Sequence, residues 1–374
     1  YFYDLCDRVG IAVWAEIPFN AQAAKDDPDT NAVEQMTDLL HQCMHHPSIV
    51  CWGIQNEITL GEARRDPRPT VERLHALVKS IDPSRPTTQA NLGQVATGDP
   101  IHSLSDLDAM NLYCGWYYGT ADEIGPTLDD LHEANPGVPI GLSEYGADTH
   151  VGYHSGDPQP GDYTEEYQAL LHEEYWKALS ARPYVWSSFV WNMFDFASDL
   201  RAEGGKAGRN MKGLVSYDRE TKKDAFYWYK ANWSSDPFVH ICSKRFVNRH
   251  ESPMTVKVYA NVPDVRLEVN GTDIGAGDRD GRIVTWPVDL GEGSTTVRAV
   301  ADGCAPDETT FVRVAEADES YVCPEPAPFG GGSGRMERES WYEKEGLEAD
   351  PSIYSTWTAL GDLLDNPATK AVLE

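Results

Sequence analysis

The chain has 374 residues, with 31 Lys and Arg against 60 Asp and Glu, a formal net charge of −29. That balance disfavours duplex nucleic acid and anionic membrane surfaces as partners, because both need a basic face on the protein. No apolar run is long enough for a membrane-spanning helix.

Residues 1–7 read as the middle of a helix, so the natural N-terminus is expected upstream of Tyr1. Short apolar, strand-like runs then follow at 11–19, 49–57, 87–91, 109–116, 139–146 and 185–196. Helical periodicity fills the gaps at 30–46, 70–81, 127–134 and 164–180, with a last short helix at 224–232. Such alternation predicts a parallel α/β architecture. Six strands fall short of the eight of a closed (β/α)8 barrel. The expectation is a partial TIM barrel over residues 1–235, with its first strands lying upstream.

Residues 236–318 change character. The runs 256–260, 265–269 and 296–300 are β-rich, and Asn270-Gly271 is a strong hairpin signal. A small β-sandwich is predicted there. Residues 319–374 read as a linker, Gly-rich at 330–334, and a helical segment with Trp357, Leu360 and Leu364 at helical spacing, broken by Asn366-Pro367. Seven cysteines are scattered with no Cys-x-x-Cys pair. That pattern favours free thiols and a reducing, cytoplasmic setting over a disulfide framework.

Two of the apolar runs end in a carboxylate: Ile49 to Glu57, and Pro139 to Glu144. Parallel barrels do their chemistry at strand C-termini. A pair of carboxylates there suits glycoside hydrolysis, in which one acid protonates the leaving oxygen while the other carboxylate meets the anomeric carbon. Retention of configuration calls for carboxyls about 5–5.5 Å apart. Asn56, beside Glu57, suits a sugar hydroxyl. Tyr113, at the end of its strand, is placed to hydrogen-bond Glu144 and lower its pKa. Trp116, Tyr117, Trp186 and Trp191 offer aromatic faces for a sugar ring. Trp191, followed by Asn192 and Asp195, is the best candidate, whereas Trp186 reads as core. Asn210 and Lys212 follow a Gly-rich loop and can set an amide and an ammonium on a substrate oxygen; the loop lacks P-loop spacing. The eleven histidines are dispersed. Adjacent His45 and His46 diverge on a helix, and His150 and His154 lie in a loop, so no metal and no cofactor are expected.

Ile54-Gln55-Asn56-Glu57, Leu142-Ser143-Glu144-Tyr145-Gly146-Ala147-Asp148 and Val190-Trp191-Asn192-Met193-Phe194-Asp195-Phe196 resemble the motifs of glycoside hydrolase family 2, which includes β-galactosidases and β-glucuronidases. The likeness runs from residue 1 to about 300. It implies an acid/base Glu57 on the fourth barrel strand and a nucleophile Glu144 on the seventh. It also implies Asn56 at the sugar 2-hydroxyl, Tyr113 beside the nucleophile and Trp191 under the ring. Family members carry a jelly-roll domain and an immunoglobulin-like domain ahead of the barrel, neither of which is in this chain. The stretch after residue 238 looks like the immunoglobulin-like module of many bacterial β-galactosidases. Asn210 and Lys212 fit the Asn-x-Lys pair by which β-glucuronidases hold a substrate carboxylate, yet the stretch from Asn210 through Trp233 and on to His240 looks more like the β-galactosidase branch.

The sequence therefore favours a retaining exo-β-galactosidase as the full-length parent, with the segment alone inactive. The alternatives are a β-glucuronidase or galacturonidase, and a non-catalytic carbohydrate-binding protein. Where magnesium-dependent members place a Glu and a His, this chain has Asn20 and Gln22, poor ligands for a divalent ion. A carbohydrate substrate is the expected partner, and a homo-oligomer is left open.

Overall fold

The structure, a computed structural model, describes residues 1–20, 28–60, 66–199 and 201–324. Helix α1 (Phe2–Val9) ends at Gly10, whose φ of 77° is the left-handed turn that closes a helix most cheaply with glycine. Six parallel strands follow: β1 (Val13–Glu16), β2 (Ile49–Asn56), β3 (Thr87–Leu92), β4 (Leu107–Asn111), β5 (Ile140–Glu144) and β6 (Val185–Ser188). They form one sheet in the order β1-β2-β3-β4-β5-β6. Helices α2 (Pro28–Cys43), α3 (Arg68–Ile81), α4 (Ile124–Ala134) and α5 (Glu165–Ser180) connect them. Helix α6 (Asp224–Trp233) completes the first region.

Sequence order equals spatial order, as in a barrel wall. The wall curls until its two edges meet through side chains: Trp14 of β1 stacks on Trp186 of β6 at 5.8 Å and meets Phe189 edge-on at 5.5 Å. The architecture is thus a partial barrel. Helix α5 shows how the sequence sets the frame. Thr164 caps it by accepting from the Tyr167 N–H at 3.2 Å, and Glu165 and Glu166 occupy its positive first turn. Loss of such a cap costs about 1 kcal/mol.

The helices match the predicted spans closely, but several strands are shorter, the 139–146 run being strand only at Ile140–Glu144. The 11–19 run is strand only at Val13–Glu16, and the 109–116 run stops at Asn111. The 185–196 run stops at Ser188. Its remainder is a loop whose backbone is taken by other segments: Phe189 N–H donates to Leu142 O, Trp191 N–H to Tyr145 O and Asn192 N–H to Lys212 O. Only Phe196–Ala197 (β7) returns to strand, pairing antiparallel with Arg209–Asn210 (β8). Apolar character alone did not separate strand from a loop hydrogen-bonded to other segments.

The second region is two sheets. Strands β9 (Val239–Ile241), β11 (Met254–Ala260), β14 (Asp278–Asp280) and β15 (Ile283–Val288) form one sheet. Strands β10 (Asn248–Arg249), β12 (Arg266–Val269), β13 (Thr272–Ala276), β16 (Ser294–Val300) and β17 (Asp307–Arg313) form the other. One apolar core joins them, with Val256, Val258 and Trp286 from the first sheet and Leu267, Val297 and Phe311 from the second. The predicted hairpin is present: Val269 pairs with Thr272 across Asn270 (φ 49°) and Gly271 (φ 79°), the two positive φ values of a type I′ turn.

The two regions are bonded to each other. Asp224 Oδ1 lies 2.9 Å from His240 Nε2, and its Oδ2 accepts from Ser243 N–H at 2.6 Å. Arg245 pairs with Glu165, and Lys257 with Glu173. The described part of the tail, Glu319–Tyr321, is a short 3-10 turn, and Tyr321 accepts from His154 N–H. The predicted linker and helical segment beyond it lie outside the described residues.

Candidate active site

Strand β2 delivers Glu57. Its backbone leaves the strand at a φ of 49°, a left-handed conformation that a non-glycine residue adopts at a cost of about 1–3 kcal/mol. Hydrogen bonds hold that turn on both sides: Asn56 N–H donates to Phe19 O at 2.9 Å and Glu57 N–H to Ala90 O at 2.8 Å. Strand β5 delivers Glu144, whose carbonyl accepts from Leu112 N–H. Just beyond it, any Cβ at position 146 would collide with the Trp191 carbonyl, so glycine there lets the Trp191 loop close onto the strand end.

The two glutamates share neighbours. Tyr113 O–H donates to Glu144 Oε2 at 2.6 Å. Asn111 Nδ2 donates to Glu57 Oε1 at 3.0 Å and Asn56 Oδ1 at 3.1 Å, while its Oδ1 accepts from the Ser143 hydroxyl at 2.6 Å. Asn111, buried at the end of β4, therefore bridges the residues flanking both carboxylates. Burial raises the Glu57 carboxyl above its ordinary range, with Asn111 partly offsetting the rise. Burial, and then the Glu57 charge, push Glu144 up to about 7, against the lowering influence of Tyr113 and Lys212. The Tyr113 phenol is raised by burial and by Glu144, which keeps it a proton donor. Two carboxylates whose charges oppose each other titrate as a pair that readily holds one proton.

Lys212 lies on the same side. It is fully buried, and its Nζ donates to Tyr117 O–H at 2.6 Å and to Asp148 Oδ2. The ammonium sits 4.8, 5.7 and 5.9 Å from the ring centres of Tyr117, Tyr113 and Trp116. Burial works against the Asp148 charge, but Lys212 and Arg201 hold its pKa below the ordinary value. Arg201 Nη2 also donates to the Tyr117 oxygen, at 2.7 Å.

The structure thus gathers Asn56, Glu57, Tyr113, Glu144 and Lys212 around one group of strand ends. Trp191 is half-buried in the adjoining loop, edge-on to Phe196 at 5.8 Å, and its peptide bond to Asn192 is cis. Asn210 is 4 % exposed and its Oδ1 accepts from Lys212 N–H, so it shapes the lysine's backbone. Trp116 is also 4 % exposed, packed on Tyr163 and Tyr167, and reaches the site through the Lys212 ammonium. Trp186, read as core, is half-buried, with its Nε1–H donating to Asp108 O.

Sequence reasoning missed Asn111, Asp148 and Glu16. Glu16 ends β1 as Glu144 ends β5, so the same signal was available. Trp14 Nε1–H donates to it at 2.9 Å. Although the residue as a whole is exposed, burial of its carboxyl group pushes it up to about 8, with the Glu144 charge adding to the rise and the Trp14 hydrogen bond opposing it. Asn20 bridges to Asn56, and Gln22 lies outside the described residues. Among the described residues, no three His, Cys, Asp or Glu side chains gather as metal ligands.

A barrel wall that presents paired glutamates from its strand ends, one beside a tyrosine donor and the other beside asparagines, defines a glycosidase-type site. Residues 1–235 match the model of "Glycosyl hydrolases family 2, TIM barrel domain". This chain belongs to glycoside hydrolase family 2. A β-glucuronidase of Bacteroides fragilis is 38% identical over 329 residues, covering 83% of this chain and 46% of the relative. Among solved structures, an FMN-binding β-glucuronidase from Facaelibacterium prausnitzii L2-6 is 44% identical, with a TM-score of 0.83 over 86% of this chain and 50% of that one. A putative β-galactosidase from Bacteroides fragilis is 32% identical, with a TM-score of 0.78 over 85% of this chain and 49% of that one. The chain spans about half the length of the relatives it matches.

Proposed function

We propose that the full-length parent of this chain is a retaining β-glucuronidase, with Glu144 as nucleophile and Glu57 as acid/base. Glu144 attacks the anomeric carbon while Glu57 gives its proton to the departing glycosidic oxygen, leaving a glycosyl ester on Glu144. Glu57, now a carboxylate, takes a proton from water, whose oxygen attacks the same carbon and releases Glu144. The raised Glu57 suits the first role. Tyr113 suits the second residue, because its hydrogen bond fixes one oxygen of Glu144 and leaves the other for attack.

The galactoside preference drawn from the sequence gives way to its alternative. The observation that carries the change is the buried ammonium of Lys212, placed beside Tyr113 and Tyr117 and close enough to lower the Glu144 pKa. Asp148 already pairs with this ammonium, so a neutral galactoside adds no charge to it, whereas the 6-carboxylate of a uronide brings a second anionic partner. Two of the three relatives described above are named β-glucuronidases, which supports the same reading. The reading of the second region as immunoglobulin-like, and of a reducing compartment for the seven free cysteines, belong to the same proposal.

The test is turnover of p-nitrophenyl β-glucuronide, β-galacturonide and β-galactoside by the full-length polypeptide. The expected result is a preference of roughly 10²-fold or more in kcat/KM for the glucuronide. A galactoside preference restores the first reading. Tight sugar binding without turnover of any of the three supports a non-catalytic carbohydrate-binding protein.

A further inference from the structure

Lys223 immediately precedes α6, inside the stretch that resembles β-galactosidases, and the sequence assigned it no role. It is fully buried, and its ammonium directs its three donors to three segments: Asp195 Oδ1 at 2.8 Å, Thr149 O at 3.0 Å and Met211 O at 3.0 Å. Each segment carries part of the site. Thr149 lies in the loop that follows Glu144, Asp195 closes the loop of Trp191, and Met211 lies between Asn210 and Lys212.

Further bonds make the junction one unit. Asp195 Oδ1 also accepts from Gly213 N–H at 2.8 Å, Thr149 N–H donates to Met211 O, and Met211 N–H donates to Asp148 Oδ1. Lys223 N–H itself donates to Leu214 O. Burial draws the Lys223 pKa down while Asp195 pushes back. A buried ion pair is a poor source of net stability, since apolar side chains of similar volume commonly serve as well or better. Retaining one at the crossing of three site loops therefore calls for a geometric reason.

We propose that Lys223 is the positioning residue of this site, a single ammonium that fixes the Glu144, Trp191 and Lys212 loops relative to one another. The proposal rests on the reading above that these loops hold the sugar. A displacement of about 1 Å at such a site costs on the order of a hundredfold in rate.

The experiment uses the full-length polypeptide, with kcat, KM and melting temperature measured on whichever p-nitrophenyl glycoside the wild type turns over best. The informative variant is the double substitution Lys223→Met with Asp195→Asn, which leaves no buried charge uncompensated. A folded double variant whose kcat/KM falls about a hundredfold, through both a raised KM and a lowered kcat, supports the proposal. Wild-type kcat/KM in that variant overturns it and leaves Lys223 as charge compensation for Asp195. Should the double variant fail to fold, Lys223→Arg decides. It keeps the charge but replaces tetrahedral donors with a planar fork. A fall of about tenfold or more in kcat/KM supports positioning, and wild-type values overturn it. A wild type that prefers the galactoside defeats the glucuronidase reading alone, because the ratio of variant to wild type is still measured on that substrate.

Discussion

The barrel region and the sandwich region bury different things. The sandwich core is apolar, built from residues such as Val258, Leu267, Val297 and Phe311. The barrel also has an apolar core, but it buries Asp148, Asp195, Lys212 and Lys223 as well. Buried charges cost desolvation energy that their pairing seldom more than repays. Apolar burial is the cheaper route to a stable fold, at about 25 cal/mol per Å² removed from water. The difference teaches where charge is buried in this chain: behind the C-terminal ends of β2, β4 and β5 and in the loops that follow them, where the proposed chemistry falls.

That contrast can be broken or sharpened by substitution. In the full-length polypeptide, Glu144→Gln should lower kcat by on the order of 10⁴-fold or more while the melting temperature holds or rises, since the change removes a nucleophile and a buried negative charge. Retained turnover would remove Glu144 from the mechanism. Lys212→Ala should next depress uronide turnover by roughly 10²–10³-fold, with a far smaller effect on a neutral galactoside. Equal losses on both substrates would mean that the lysine only holds Asp148 and Tyr117 in place.

The sandwich should behave in the opposite way. Phe311→Ala removes a fully buried ring and should cost about 3–5 kcal/mol in chemical denaturation, with KM unchanged for the molecules that stay folded. A changed KM would show that the sandwich feeds into the site through Asp224, His240 and Ser243.

The smallest effect is on pH dependence. Glu144 must be ionised to attack, so activity is present above its pKa and lost as the pH falls through about 7. The Glu57 charge raises that pKa, so Glu57→Gln should move the acidic limb of kcat/KM to lower pH. A dinitrophenyl glycoside, whose leaving group needs no acid, is the substrate on which to see it. Removing the Lys212 charge should move the limb the other way, and neutral substrates report this free of any effect on carboxylate binding. An unmoved limb in Glu57→Gln would separate the two carboxyls electrostatically and undo the pairing.

Much of this site was legible in the sequence, because its main signal is local. An apolar run ending in a carboxylate is visible at Glu57 and Glu144, and the helices between the runs have their own periodicity and caps. Asn111 was not legible, since it sits inside a strand run and acquires meaning only through its partners Asn56, Glu57 and Ser143 at the ends of two other strands. Asp148 ends the family-like run Leu142 to Asp148, but its partner Lys212 lies far along the chain. The excess strand length given to residues 189–195 has the same origin: these residues look like strand, yet beyond Phe189 their backbone hydrogen bonds run to segments remote in sequence.

The sequence by itself determined the alternating α/β order, the two glutamates, the hairpin at Asn270-Gly271 and the kinship with family 2, because each is written in neighbouring residues. Only the tertiary structure decided that Asn111 bridges Asn56, Glu57 and Ser143, that Lys212 is buried against Tyr117 and Asp148, and that Lys223 gathers three loops. Those facts depend on where segments remote in sequence meet once the sheet has curled, and short-range patterns carry no record of that meeting.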